Sequence, residues 1–345
     1  MYIRKLNDID ELLSCRIEFL ESQYEKSSIY HCFNVFKAKA YIVHEKNVFF
    51  AIAVVGYLGR ATVAVFFVCK NENLPVSLFF EVVRNLSQLE TGLKYVSFAI
   101  ITQREKQEIS KSFTVVNNGQ FYPSEFNCPT VVYWVDKSNR FSKSVTLFTN
   151  CRKETNTFPL FLGSGFSLYR YTVRRLKRCF PTLLISEIFE KEEYLNIVTE
   201  WEEKVVQMAK MNQGFFVDKK RYSLGDYYSF WYYPIVTFLE MIPHIPSKYK
   251  LVHRKIESGA GHRGFWVGVC ADEVLNVYLF VTNRKRALFA DMLLVDILNF
   301  SFRNDIAQVN LGGAEDETLY KFKSKFLPCF GGSFQRKIFD VVVSM

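Results

Sequence analysis

The feature that most constrains the fold is an order of secondary-structure elements that occurs twice along the chain. Hydrophobic periodicity predicts helix, antiparallel strands, helix, strand, helix and strand in the first half, and the same order in the second. The later elements of the two halves correspond: residues 76–89, 95–101, 105–113 and 130–135 match 291–302, 306–311, 317–326 and 333–343. The order predicts an α/β (α+β) protein of two similar halves, each a mixed, mostly antiparallel sheet flanked by helices.

The length of the chain fits two halves of this kind. A chain of 345 residues is long for one domain, and each of two domains has enough residues to bury a core. The join is expected at Asp136–Cys151, where a polar segment precedes a short apolar run. The predicted domains are therefore residues 1–145 and 146–345.

The composition limits the class of partner and the compartment. Forty-four basic against 35 acidic residues give a net charge of +9, which attracts polyanions without naming one. The eight cysteines are scattered without a Cys-x-x-Cys pair, so neither a metal site nor a disulfide framework is predicted, and scattered thiols fit a reducing cytoplasm. The N-terminus has no signal-peptide pattern, and the longest apolar stretch, Phe49–Leu58, is too short to span a membrane.

The end of the chain carries its most specific pattern. The apolar run Val309–Leu311 is followed directly by Gly312 and Gly313, and an amphipathic basic segment, Leu319–Phe326, comes shortly after them. This spacing predicts a strand, a tight turn and a helix. The first helical turn is acidic and the rest is basic, which suits the helix dipole.

This pattern resembles the closing motif of the Fem-type peptidoglycan-bridge aminoacyltransferases, in which a strand ending in Leu-Gly-Gly precedes a Leu-Tyr-Lys/Arg-Phe-Lys helix. The resemblance implies two halves of the GCN5-related N-acetyltransferase (GNAT) fold. It also implies attack by an amine on an activated acyl group, whose carbonyl is polarised by backbone N–H groups at a splayed strand. The matching positions are Phe322, as an aromatic wall beside the acyl donor, and Lys323, as a catalytic cation. Packing of Phe322 in the core and a solvated lysine face are the alternatives.

Two further groups are candidate ligands of the donor. Gly312 and Gly313 allow the backbone N–H groups to approach a phosphate closely, although a plain turn also explains them. Arg170, Arg174 and Arg175 belong to a basic segment that resembles the Arg/Lys-rich helix opening the second half of Fem-type proteins. Their i, i+4 spacing would let several charges meet a diphosphate. A solvated charged helix is the alternative.

A dense aromatic cluster is the candidate site for the acceptor. Tyrosine and tryptophan rings in such a cluster stack on nucleotide bases, and the substrate-binding candidates are Tyr222, Tyr227, Tyr228 and Trp231, together with Arg170. Two carboxylates, Asp226 and Asp291, are candidate catalytic proton acceptors or amine ligands. Helix capping is the alternative for each of them.

The resemblance implies an enzyme, an acyltransferase that moves groups other than aminoacyl groups. The expected donor is acyl-CoA as a co-substrate, with no permanently bound cofactor, and the expected acceptor is the amine of a dTDP- or UDP-linked amino sugar for surface polysaccharide (lipopolysaccharide, O-antigen) synthesis. An aminoacyl-tRNA-dependent Fem-type transferase is the first alternative and would bring tRNA as a partner. A non-catalytic GNAT-like binding protein is the second.

Overall fold

The chain divides into two compact units, and one of them is made of two separate segments of the sequence. In the computed structural model, unit 1 contains residues 1–129 and 335–345, and unit 2 contains residues 130–334. The residues that the structure describes are 2–14, 32, 39–45, 48–56, 62–68, 77, 80–81, 84–85, 88, 95–101, 103–115, 130–135, 141–147, 156–211, 215–217, 220–222, 228, 232–271, 273–283, 287–313, 317–332 and 339–344.

Unit 1 is built on a six-stranded sheet in the order β1-β2-β3-β4-β5-β16. Its strands are β1 (Tyr2–Leu6), β2 (Lys39–Glu45), β3 (Val48–Gly56), β4 (Thr62–Val68), β5 (Tyr95–Ile101) and β16 (Phe339–Ser344). Among the described residues, the helices α1 (Ile9–Ser14) and α2 (Gln103–Ser112) are continuous. Strands β4 and β5 are parallel, and every other neighbouring pair is antiparallel. The last strand of this sheet therefore comes from the C-terminal end of the chain.

Unit 2 repeats this arrangement with the order β6-β15-β14-β13-β12-β9. These strands are β6 (Thr130–Trp134), β9 (Leu183–Ser186), β12 (Lys250–Ser258), β13 (Arg263–Ala271), β14 (Val274–Thr282) and β15 (Gln308–Gly313). Only β14 and β15 run parallel. The predicted mixed, mostly antiparallel sheets are confirmed. The predicted boundary after residue 145 falls inside unit 2, because β6 pairs with β15.

Helices and two hairpins complete unit 2. The helices are α3 (Ser167–Cys179), α4 (Lys191–Met211), α5 (Tyr233–Met241), α6 (Leu288–Arg303), α7 (Glu317–Lys323) and α8 (Leu327–Phe330). Strands β7 (Phe141–Leu147) and β8 (Asn156–Phe161) form one hairpin, and β10 (Phe215–Val217) and β11 (Lys220–Tyr222) form another. The expected join at residues 136–151 thus contains a paired strand, β7.

The core of unit 2 surrounds the central strands. Six consecutive residues of β13 are buried, which requires cover on both faces of the sheet, and both α4 and α6 contact β13 and β14. Helix α6 is buried at 12 of its 16 positions, because α3 covers the side turned away from the sheet. Within the described part of the chain, no helix is both long enough and apolar enough to cross a bilayer.

A buried charged network fixes β12 to α6. Arg254 of β12 donates from Nε and Nη2 to the two carboxylate oxygens of Asp296 at 2.9 and 3.0 Å, and Trp266 Nε1 donates to the same carboxylate at 2.8 Å. Burial opposes the charged form of Arg254, but the carboxylates of Asp296 and Glu187 outweigh it and raise the pKa of the guanidinium. The guanidinium of Arg254 is therefore charged at neutral pH, and its bonds to Asp296 join β12 to α6.

Candidate functional site

The candidate site begins where the two parallel strands of unit 2 separate. Strands β14 and β15 are paired from Val274 and Gln308 up to Asn276 and Asn310. Beyond that point β14 continues to Thr282 and β15 to Gly313, and within these two fully described strands no further residues pair with each other. The backbone groups on the facing edges are therefore open to other partners.

A β-bulge lies directly after this separation. Between β13 and β14 the register shifts: Gly268 pairs with Val277 and Val267 pairs with Leu279, so Tyr278 is the extra residue. Gly268 permits the close approach of the strands, because a Cβ atom there would lie 2.7 Å from the Asn276 carbonyl oxygen. Bulges re-aim backbone groups and are frequent next to active sites. Here the bulge lies directly after the last residue of β14 that pairs with β15.

The residues of β14 after the bulge present aromatic rings on one side. Tyr278 and Phe280 are half-buried and alternate with buried Leu279 and Val281, so they lie on the same face of the strand. Tyr278 stacks on Phe238 of α5 with ring centroids 5.4 Å apart. This face gives the gap between the strands an apolar wall.

Helix α7 contacts both of the separated strands. The Phe322 ring packs against Phe280 of β14 with the centroids 5.5 Å apart. Lys323 Nζ donates to the Leu311 carbonyl oxygen of β15 at 2.7 Å and is half-buried. The lysine thus binds a strand carbonyl just beyond the last residue that pairs with β14. Two of the residues expected from the closing motif are brought to the gap.

A tyrosine from β6 anchors the end of α7. The hydroxyl of Tyr133, which is fully buried, donates to the Lys323 carbonyl oxygen and accepts from the Phe326 backbone N–H at 3.1 Å. Burial raises the pKa of this hydroxyl, so it remains a donor over the whole physiological range. The position of Lys323 therefore depends on a strand that is distant in sequence.

The two glycines occupy the end of β15. Gly312 has a φ of 69°, which favours glycine, and its N–H donates to Asn310 Oδ1 at 2.9 Å. Gly313 pairs with Thr130 of β6. The N–H of Gly312 is thus already engaged within the strand, and the helix that follows has only seven residues. The binding of a donor phosphate by these glycines stays a prediction.

Asp291 has a specific partner near the same helix. It lies in the first turn of α6, is only 8% exposed, and accepts from Lys325 Nζ at 2.6 Å. This ion pair ties the start of α6 to the segment that follows α7. Its role as a catalytic proton acceptor stays a prediction. Asp226 lies outside the described residues.

The predicted arginines lie on α3, and Arg170 differs from the other two in its contacts. Arg170 Nη1 donates to the carbonyl oxygens of Phe161 and Gly163 at 2.6 and 2.7 Å, so it fixes the turn before the helix. Arg174 and Arg175 are exposed. Their binding of the donor stays a prediction.

The predicted aromatic cluster is described in part. The Tyr228 hydroxyl donates to the Glu202 carboxylate of α4, and this bond raises the pKa of Tyr228 to about 12. The rings of Tyr232 and Tyr233 lie 5.4 and 5.7 Å from the Tyr228 ring. Tyr222 is the last residue of β11, and nothing is described of its side chain; Tyr227 and Trp231 lie outside the described residues.

Sequence reasoning missed the residues that shape the gap. Neither Asn276 nor Tyr278 carried a local signal, since both belong to an apolar strand pattern. Gly268 did carry one, because a glycine inside a strand pattern indicates a bulge or a close approach of backbones. Glu202 was not predicted, because it is one of several charged residues on the same helix. Among the described residues, no group of histidine, cysteine, aspartate or glutamate is placed to hold a metal ion.

Comparison with known proteins identifies the fold. No family model matches the sequence, and no curated protein matches it. Among solved structures, a tandem GNAT protein from the clavulanic acid biosynthesis pathway has a TM-score of 0.52 at 10% identity, covering 92% of this chain and 87% of that one. The two-unit architecture of the chain is therefore that of tandem GNAT proteins.

Two further solved structures share this architecture. A conserved protein of unknown function from Bacteroides thetaiotaomicron VPI-5482 has a TM-score of 0.56 at 10% identity and covers 99% of both chains. L-PGS from Bacillus licheniformis has a TM-score of 0.51 at 13% identity, covering 90% of this chain and 86% of that one. All three similarities extend over both units.

Proposed function

We propose that the chain is an N-acyltransferase that moves an acyl group from acyl-CoA to an amine. The observation that carries the proposal is the separation of β14 from β15 beyond Asn276 and Asn310, with Phe322 and Lys323 of α7 contacting one strand each. The likeness to a tandem GNAT protein supports a fold in which such a separation holds an acyl donor.

The acyl group would lie in the gap between the two strands. Backbone N–H groups on the edge of β14 after the bulge would donate to the acyl carbonyl, as an oxyanion hole does. Lys323 would exchange its bond to the Leu311 carbonyl for the developing negative charge. Phe322 and Phe280 would exclude water from one side, which strengthens these electrostatic interactions.

The diphosphate of the donor would lie at the end of β14. There α6, a helix of 16 residues, begins, and a helix N-terminus favours anions. The C-terminal end of α3, which carries exposed Lys177, lies beside it, since the rings of Phe180 and Phe289 are 5.2 Å apart. The connection from β14 to α6 also contains three consecutive basic residues in the sequence: Arg284, Lys285 and Arg286.

The acceptor would be the amine of a dTDP- or UDP-linked amino sugar. The cluster of Tyr228, Tyr232 and Tyr233 offers rings for a base, and it is joined through Glu202 to α4, which contacts β14. The neutral amine attacks the acyl carbon, the new C–N bond forms as the C–S bond breaks, and the amine proton passes to Asp226, Asp291 or water. Coenzyme A leaves as the thiolate, which takes up a proton from water to give the free thiol.

Thiol release tests this proposal. The protein is incubated with acetyl- or hydroxyacyl-CoA and dTDP- or UDP-amino sugars, and free thiol is measured over time. We expect release that depends on both substrates, together with a rise of the melting temperature on adding coenzyme A. Transfer from charged tRNA, with no thiol release from any pair, would favour the aminoacyl-tRNA alternative. No transfer from either donor would leave the non-catalytic alternative.

Lys323→Ala is the matched site variant. Loss of a cation beside developing charge is expected to lower kcat by about 10²-fold, whereas Lys321→Ala on the exposed side of the same helix should change it by less than about twofold. Melting temperatures of both variants separate catalysis from stability. An unchanged rate in Lys323→Ala would show that Lys323 is not part of the site. The proposal of acyl transfer would then be tested by thiol release alone.

A further inference from the structure

We infer that the exposed face of α3 is a docking surface for an anionic lipid bilayer, a role beyond the proposed transferase activity. The surface, called the α3 platform below, combines exposed apolar side chains with arginines. Its members are Leu162, Leu168, Tyr171, Arg174, Arg175 and Arg178.

The geometry of α3 places these groups on one side. Leu168, Tyr171, Arg175 and Arg178 follow one another at i, i+3, i+7 and i+10, which is one face of an α-helix. The opposite face is buried against unit 2 and consists of Tyr169, Thr172, Val173 and Leu176. The helix cannot rotate to hide its outer apolar residues without exposing these four. Apolar residues therefore lie on the exposed face of α3 as well as on its buried face.

The exposure of the apolar members is large. Leu162 is 50% exposed, Leu168 is 39% exposed and Tyr171 is 56% exposed. Single exposed apolar residues are normal on a protein surface, but a contiguous group rimmed by charge indicates an interaction site. Leu162 is held next to the helix, because Arg170 donates to the carbonyl oxygens on either side of it, those of Phe161 and Gly163. The backbone on both sides of Leu162 is thus bonded to α3.

The charge of the platform has one sign. Between Glu154 and Glu187 the sequence has no acidic residue and five basic ones. Among the residues that the structure describes, no carboxylate forms an ion pair with Arg174, Arg175 or Arg178. These three exposed arginines can therefore bind phosphate oxygens, which arginine contacts in bidentate geometry.

The mixture of groups selects a bilayer over a nucleic acid. Both are polyanions, and arginines with a tyrosine suit either one. Leu162 and Leu168 gain nothing against a phosphodiester backbone, whereas apolar side chains on a basic amphipathic helix enter the boundary between headgroups and acyl chains. Tyr171 has the amphipathic ring that is enriched at that depth. The platform therefore matches a bilayer that contains anionic lipid.

Vesicle co-sedimentation tests the inference with the full chain. Vesicles of phosphatidylcholine alone are compared with vesicles that contain phosphatidylglycerol, at low and at high salt. We expect retention on the anionic vesicles only, which weakens as salt screens the arginines. Absence of retention on the anionic vesicles at low salt would overturn the inference.

Two platform variants separate the contributions. Since each arginine near an anionic surface contributes about fivefold in affinity, the variant Arg174→Gln/Arg175→Gln/Arg178→Gln should bind anionic vesicles on the order of 100-fold more weakly. The variant Leu162→Ser/Leu168→Ser keeps every charge and should also bind several-fold more weakly.

The control variant and a competing ligand complete the test. Lys204→Gln/Lys210→Gln/Lys248→Gln removes three exposed charges elsewhere on unit 2 and should retain most of the binding. Equal losses in this control and in the arginine variant would reduce the result to net charge and overturn the inference. The inference is also overturned if the arginine variant loses affinity for coenzyme A or for bulk tRNA while its retention on vesicles stays unchanged.

Discussion

Replacement of Tyr133 by phenylalanine tests how the site is held in place. The substitution removes one oxygen atom, which accepts from the Phe326 N–H at 3.1 Å and donates to the Lys323 carbonyl. Phe326 is fully buried, so its N–H loses its partner without access to water, at a cost of about 1–3 kcal/mol. The Lys323 carbonyl belongs to a half-buried residue and contributes less, since water reaches it. We expect a loss of about 2 kcal/mol in the free energy of unfolding.

Urea unfolding followed by tryptophan fluorescence measures this loss, because Trp266 is fully buried in unit 2. With a slope of about 2 kcal/mol per molar urea, the midpoint should fall by roughly 1 M. Tyr171→Phe, at an exposed position, is the matched control and should unfold like the parent protein. Since Tyr133 also positions Lys323, turnover in Tyr133→Phe should fall under conditions where the variant is still folded. A midpoint within about 0.2 M of the parent would refute the two-bond anchor.

Three other perturbations have defined outcomes. Asp296→Ala removes the buried carboxylate partner of Arg254, leaves only the exposed carboxylate of Glu187, and should cost about 3–5 kcal/mol in urea unfolding; a loss below about 1 kcal/mol would contradict the network. Gly268→Ala would place a Cβ atom 2.7 Å from the Asn276 carbonyl oxygen, so the melting temperature should drop, and an unchanged value would exclude a tight bulge. In the folded protein the pKa of Tyr228 is raised to about 12, so the stabilisation by its hydrogen bond to Glu202 is present below about pH 10 and is lost as pH rises through about 12. Between these pH values Tyr228→Phe should lose less stability than the parent protein. Equal losses in both proteins would exclude the bond to Glu202.

The sequence predicted most elements of unit 2 because their patterns are local. The pattern over Gly264–Cys270 and Val274–Val281 predicts a hairpin, which is observed as β13 and β14, and the pattern over Ala287–Phe302 predicts a helix, which is observed as α6. Apolar residues dominate these segments, so their periodicity is visible without knowledge of their partners. The closing strand and helix were predicted for the same reason.

Strand β12 was not predicted, and its partners explain why. The stretch Lys250–Ser258 contains several charged residues and does not have the composition of a central strand. Its buried Arg254 and Lys255 are paired with Asp296, Glu187 and Glu193 from other elements. A local pattern cannot reveal neutralisation by residues that are distant in sequence.

The geometry of the candidate site depends on register, which composition does not encode. The closing motif indicated Phe322 and Lys323, but the point at which β14 leaves β15 follows from pairing between strands about 30 residues apart. The anchoring of α7 by Tyr133 depends on β6 joining the sheet of unit 2, and the patterns of β6 and β16 do not distinguish which sheet each one joins.

The placement of β16 in the sheet of unit 1 has a consequence for biosynthesis. Multidomain proteins generally fold from the N-terminus while the ribosome is still translating, yet this sheet can close only after residues 339–344 have left the exit tunnel. Until then the edge of β5 is an open template for other nascent chains. A fragment made by cutting the gene once between the units would therefore lack a strand of one sheet.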